Sequence, residues 1–247
     1  MDSEELLPGG NVGGAVRIGT TVRRTTGPWT PAVHALLRHL ADTNLTGVPR
    51  VHGLDEKGRE ILDFLPGTAY GPEVPDDALA DAMRWLAQYH RVVASYRPVG
   101  PVVWRAGTAA LAAGEIICMH DYGYYNWIGT SEGFSGVIDW DLAGPGVPLD
   151  DLGFTAWNTA PLAVAMDPAY QAHRLRLMAE AYGGGVTALE ILERAPVSAR
   201  RSARVIRAGQ AAGDAGMVNL AKVDEPGRTE ARLPGLLARV TQVAGHL

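Results

Sequence analysis

Apolar and polar positions come in short runs over the first third of the chain and at helical spacing over most of the rest. Residues 15–18 and 21–24 read as short strands, with Gly19-Thr20 where a tight turn would sit. Thr30 and Pro31 suit an N-cap and a first helical residue. Val33, Leu36, Leu37 and Leu40 follow on one face, so the spacing predicts a helix over residues 31–42. Residues 48–52 and 60–64 read as two more strands around the polar turn 55–58, and Leu65-Pro66-Gly67 closes this part. Pro75-Asp76-Asp77 then opens a long helix carried by Leu79, Met83, Leu86, Tyr89, His90 and Val93. Residues 97–114 read as loop and 115–119 as a short apolar strand. Residues 127–129 and 136–138 form a hairpin around the polar turn 130–133, and everything after Leu149 reads as helix with breaks at 183–185 and near 224–227.

This order predicts an α+β chain in two lobes: a small β-rich N-lobe over residues 1–66 and a larger, mainly helical C-lobe over residues 67–247. At 247 residues the chain is long enough for both.

Charge and cysteine content narrow the setting. With 22 basic and 27 acidic residues the net charge is −5, which argues against nucleic acid as the main partner. Cys118 is the single cysteine, so the fold is expected not to depend on a disulfide. The acidic start Met1-Asp2-Ser3-Glu4-Glu5 lacks the basic, apolar pattern of a signal peptide, and no stretch of about 18 apolar residues occurs. The expectation is a cytoplasmic protein with no membrane partner.

The candidate chemistry lies in residues 115–151. His120-Asp121 is followed by Asn126, then by Gly136-Val137-Ile138-Asp139-Trp140-Asp141, Gly144-Pro145-Gly146 and Asp150-Asp151. Phosphoryl transfer needs a carboxylate to orient a hydroxyl and take its proton, and metal ions to neutralise phosphate oxygens. A carboxylate and an amide five residues apart on one loop, with a second carboxylate returning after a hairpin, can meet those needs. Asp121, Asn126 and Asp139 have that spacing, and their hard oxygen donors suit magnesium.

This stretch resembles the aminoglycoside phosphotransferase family of small-molecule kinases, whose pattern is His-x-Asp-x-x-x-x-Asn followed by Ile-Asp-Trp/Phe-Asp/Glu. The resemblance implies a protein-kinase-like two-lobe fold, with Asp121 as catalytic base and Asn126 and Asp139 as Mg2+ ligands. It also implies ATP or GTP as phosphoryl donor and a small-molecule hydroxyl as acceptor, such as an aminoglycoside or other natural product, and hence antibiotic resistance. Asp141 is placed near the metal, and Asp151 is expected to brace the loop. The family's histidine stands two residues before its aspartate. Here Met119 takes that place and His120 adjoins Asp121, where a structural role is expected.

In the N-lobe, the glycine-rich segment with Gly10, Asn11, Gly13 and Gly14 is expected to cover nucleotide phosphates with its backbone amides. The resemblance asks for a basic residue on the third strand, for which Arg23 and Arg24 are the candidates, and for a glutamate on the following helix, which residues 31–42 do not contain. That gap motivates a rival expectation, a kinase-like module that binds a nucleotide or metabolite with little turnover. Tyr122, Tyr124, Tyr125 and Trp127 flank the candidate loop. Cys118 is expected to be buried, and Arg200, Arg204 and Arg207 to form a solvated basic face.

Overall fold

The computed structural model describes residues 4–7, 14–107 and 110–247. A five-stranded antiparallel sheet holds the N-terminal part. Its strands β1 (Glu5–Leu6), β2 (Val16–Ile18), β3 (Thr21–Arg24), β4 (Val51–Leu54) and β5 (Glu60–Asp63) run in the order β1-β2-β3-β5-β4. Helix α1 (Thr30–Ala41) buries Val33, Leu36, Leu37 and Leu40, the residues whose spacing predicted it. β4 starts three residues later than the sequence pattern suggested. Pro49 has no N–H to give to a ladder, and pairing begins at Val51. Gly10, Asn11 and Gly13 lie outside the described residues. On either side of that segment Leu7 donates its N–H to Ala15 O at 2.9 Å, and Gly14 takes a positive φ of 48°.

After β5 the chain joins other sheets. β6 (Thr68–Ala69) pairs with β8 (Trp127–Thr130), which forms a hairpin with β9 (Gly133–Val137). β7 (Ile116–Cys118) pairs with β10 (Gly144–Gly146), a strand absent from the sequence reading because Gly-Pro-Gly has turn composition. The helices are α2 (Asp76–Val93), α3 (Pro148–Thr159), α4 (Pro168–Tyr182), α5 (Ala188–Ala211), α6 (Ala215–Leu220) and α7 (Gly227–Ala244). Three glycines at 183–185, all at positive φ, separate α4 from α5.

The core of this part lies directly beneath the small sheets. Trp85, Tyr89, Tyr122, Trp127 and Trp140 pack ring to ring there. Three of their polar tips find backbone acceptors at 2.8 Å: Tyr89 Oη donates to Ile117 O, Tyr122 Oη to Ala82 O and Trp85 Nε1 to Thr46 O, whereas the buried Trp127 Nε1 has no partner among the described residues. The site loop between β7 and β8 therefore stands on a stiff aromatic base. Among the described residues no helix is long and apolar enough to cross a membrane.

Candidate active site

A single 3-10 turn at Tyr124–Asn126 folds the loop back, so that Asn126 returns to Asp121. Asn126 Nδ2 donates to the carbonyl of Asp121 at 3.0 Å and to its Oδ2 at 3.1 Å. The other carboxylate oxygen, Oδ1, accepts the phenol O–H of Tyr125 at 2.6 Å. Burial and the charge of Asp139 push the Asp121 carboxyl up to about 7, against the pull of these two hydrogen bonds.

Asp139 follows β9 and sits at φ 59°, and His120 takes the same φ just before Asp121. Of the three non-glycine residues in the left-handed region among the described residues, these two lie in this site, the third being Asp224, and mark backbone held against its preference. The restraint is visible for His120. Fully buried Asp151 accepts the N–H of Met119 at 2.9 Å and of His120 at 2.6 Å. His90 Nε2 donates to Asp151 at 3.0 Å, and the hydroxyl of Tyr182 bonds His90 Nδ1 at 2.9 Å. His120 itself turns its ring away from Asp121 and donates from Nε2 to Pro145 O at 3.0 Å. The ligand atoms of His90, Cys118 and Asp151 lie within 4.8 Å of one another. These hydrogen bonds, with Cys118 Sγ bonding Val147 O, already use them, so the trio is a closed knot rather than a metal site.

Arg24 and Arg23 part company. Alternation along β3 sends them to opposite faces. Arg23 bonds Thr21 Oγ1 at 2.6 Å on its own strand. Arg24 reaches Asp139 Oδ1 at 3.1 Å, Asp141 Oδ2 at 2.9 Å and Glu60 Oε1 at 3.6 Å. Burial works against its charge, but the three carboxylates outweigh it and hold its pKa above the usual value.

Glu60 carries no mark in the sequence. It stands directly opposite Arg24 in the β3–β5 register, is 2% exposed, and takes His34 of α1 at 2.9 Å on its other oxygen. Arg24 thus meets an acid on the neighbouring strand, and α1 contributes the histidine that bonds it. Cross-strand register was the signal, and it shows only once β3 and β5 are paired.

Arg105 was also missed, in a stretch that reads as featureless loop. Its guanidinium makes two bonds of 2.8 Å to Asp214, the N-cap of α6, and a third of 3.3 Å to Asp141. It lies 4.3 Å over the ring of Trp29 at the start of α1. Asp141 is therefore clamped between Arg24 and Arg105. Burial pushes its pKa up to about 6, with Arg24 pulling the other way. Of the flanking aromatics, Tyr122 and Trp127 are buried in the core, while Tyr125 is 41% exposed beside Asp121. An open concavity of about 440 Å³ at the α1–β4 turn, lined by Thr43, Asn44, Thr46 and Arg50, contains none of these acids.

The comparisons with known proteins bear on this geometry. No family model matches the chain. It is 32% identical over 200 residues to the trifolitoxin immunity protein of Rhizobium leguminosarum bv. trifolii, covering 74% of this chain and 75% of that protein. The chain belongs to the family of that immunity protein. Its fold is protein-kinase-like, as in aminoglycoside phosphotransferases and choline kinases. The amicoumacin kinase hAmiN, solved with AMP-PNP, Ca2+ and Ami, superposes with a TM-score of 0.65 at 10% identity, over 96% of this chain and 87% of that one. A choline kinase from Cryptosporidium parvum Iowa II gives 0.65 at 9% identity, over 99% and 90%. The gentamicin complex of APH(2'')-IIa gives 0.61 at 12% identity, over 95% and 91%.

Proposed function

We propose that the chain is a small-molecule O-phosphotransferase that moves the γ-phosphoryl group of ATP or GTP to a hydroxyl of its acceptor. The observation that carries this reading is the Asp121 carboxylate, held by Asn126 at 3.1 Å and aimed by the loop rather than buried in an ion pair. A carboxyl with a pKa near 7 suits a group that must orient a hydroxyl and accept its proton near neutral pH.

The fold implies a divalent metal, and the donor set fits one. Asn126 spends its amide nitrogen on Asp121, and among the described residues no hydrogen bond uses its Oδ1. The Asp139 side chain is 39% exposed, and Arg24 pairs with one of its two oxygens. An amide oxygen and a carboxylate are hard ligands suited to Mg2+. Asn126 and Asp139 would hold the ion, which when bound neutralises phosphate charge. Asp121 would orient the acceptor hydroxyl and take its proton. Arg24, placed between β3 and the acidic pair, would hold phosphate oxygens together with the amides of the segment containing Gly10, Asn11, Gly13 and Gly14. Asp141, Asp151 and His120 would keep these groups in position.

The immunity protein among its relatives supports an acceptor of toxin or antibiotic type, with the modification serving resistance. The test is a screen of hydroxyl-bearing antibiotics and metabolites with Mg2+ and either ATP or GTP, reading product by mass. The wild type should add one phosphoryl group to an acceptor, and Asp121→Asn and Asp139→Asn should lose at least a hundredfold in rate. Undiminished transfer by both variants would end the proposal. The ion pair of Arg24 with Asp139 favours a second reading, a nucleotide-binding module with little turnover. A nucleotide-dependent rise in Tm with no product from any acceptor would select it.

A further inference from the structure

We infer that Tyr125 is a placeholder: its phenol occupies the position of the acceptor hydroxyl on Asp121 and keeps water off the base until the acceptor displaces it. The inference rests on Asp121 being the base.

The two oxygens of Asp121 are used unequally. Oδ2 receives the Asn126 amide, a contact that the loop needs for its shape. Oδ1 receives the Tyr125 hydroxyl at 2.6 Å, the length of a hydroxyl–carboxylate bond. An acceptor hydroxyl delivering its proton to this carboxylate would make the same bond from the same side of the loop. The chain makes room for the phenol. Gly123 has no side chain, and a Cβ there would lie 2.7 Å from the Tyr125 ring. The ring leans edge-on against Tyr124 at 5.4 Å.

The ring is also open to solvent on one side. Tyr125 is 41% exposed, whereas its neighbours Tyr122 and Trp127 are fully buried. Exposed side chains change rotamer on a picosecond to nanosecond scale, so displacement needs no rearrangement of the core. A phosphotransferase must favour a dilute acceptor over water at high concentration, and excluding water from the reactive groups is a general solution. In the wasteful reaction a water oxygen bonds the γ-phosphorus, the bond to the β-phosphate oxygen breaks, and the water's proton passes to Asp121. The phenol cannot be displaced by water without giving up a bond that water only equals. An acceptor brings further contacts and can displace it.

The experiment measures phosphate release from Mg2+-ATP without acceptor, in the wild type, Tyr125→Phe, Asp121→Asn and the double variant. Calorimetric affinity for AMP-PNP, Tm and intact mass are read alongside. The expected result is at least a tenfold rise in phosphate release in Tyr125→Phe, with AMP-PNP affinity and Tm unchanged, and return to background in the double variant. No rise in Tyr125→Phe overturns the placeholder, as does a rise that survives loss of Asp121. Phosphate appearing on Tyr125 by mass also overturns it, since the phenol would then be an acceptor. If the wild type phosphorylates an acceptor while Tyr125→Phe hydrolyses no faster, only this inference fails. If no variant binds AMP-PNP or releases phosphate and the wild type yields no product, the phosphotransferase reading fails with it.

Discussion

Asp151 accepts the backbone N–H of His120 at 2.6 Å, one residue before the proposed base. The carboxylate also takes the N–H of Met119 and the imidazole of His90, so three donors depend on one fully buried group. Removing one partner from a buried charged network strands the others and costs about 3–5 kcal/mol. Asp151→Ala should therefore unfold at far lower denaturant concentration than the wild type, and Asp151→Asn should fall between them. The pH dependence has a defined sign. Burial raises the Asp151 pKa, but hydrogen bonding and charge from His90 prevail and set it below the usual aspartate value. Its contribution is in place above that value and is lost as pH falls through the lower folded pKa. Urea denaturation between pH 3 and 7 should show an acid-side loss that Asp151→Asn flattens.

Arg24 is the cation that Asp139, Asp141 and Glu60 share. Arg24→Met leaves three carboxylates facing one another with Arg105 as the remaining cation at Asp141. The variant should lose stability, and Mg2+ should raise its Tm by several degrees more than that of the wild type, since an ion replaces the missing charge. Arg24→Lys keeps the charge but not the fork that spans separate partners, so it should recover only part of the Tm. Differential scanning calorimetry with and without excess Mg2+ reads both effects.

Gly146 lies against the ring that fixes the loop. A Cβ there would meet His120 Cε1 at 2.6 Å and Asp150 Oδ2 at 2.8 Å. Neither can yield freely, because His120 is tied to Pro145 O and Asp150 is tied to Arg194. Gly146→Ala should cost about 1–3 kcal/mol, the range for overpacking a filled site. If transfer is detected, its rate should drop more than this stability loss explains, as displacing His120 disturbs the backbone next to Asp121.

The parts of the site carried by one short stretch were legible in the sequence. Asp121, Asn126 and Asp139 have their spacing along the chain, and the helical periods of α1 and α2 need no partner to be seen. Contacts across long separations were not legible. Arg24 and Glu60 meet through strand register, and Arg105 finds Asp141 and Asp214 across 36 and 109 residues. Composition misled at β10, where Gly-Pro-Gly pairs with β7 as a strand and the narrow space beside His120 leaves no room for a Cβ at Gly146. Arg23 and Arg24 are equivalent in one dimension, and only the alternation of β3 separates them.

The pairing of Arg24 with Glu60 sets how such a protein can be controlled. In protein kinases the corresponding acid sits on a mobile helix, so swinging the helix breaks the pair and silences the enzyme. Here both members belong to adjacent strands of one sheet, and movement of α1 would remove only His34. A switch of that kind has nothing to pull on. Under the proposed phosphotransferase reading, a pair fixed within one sheet stays formed whatever α1 does, which leaves control to how much of the protein is made.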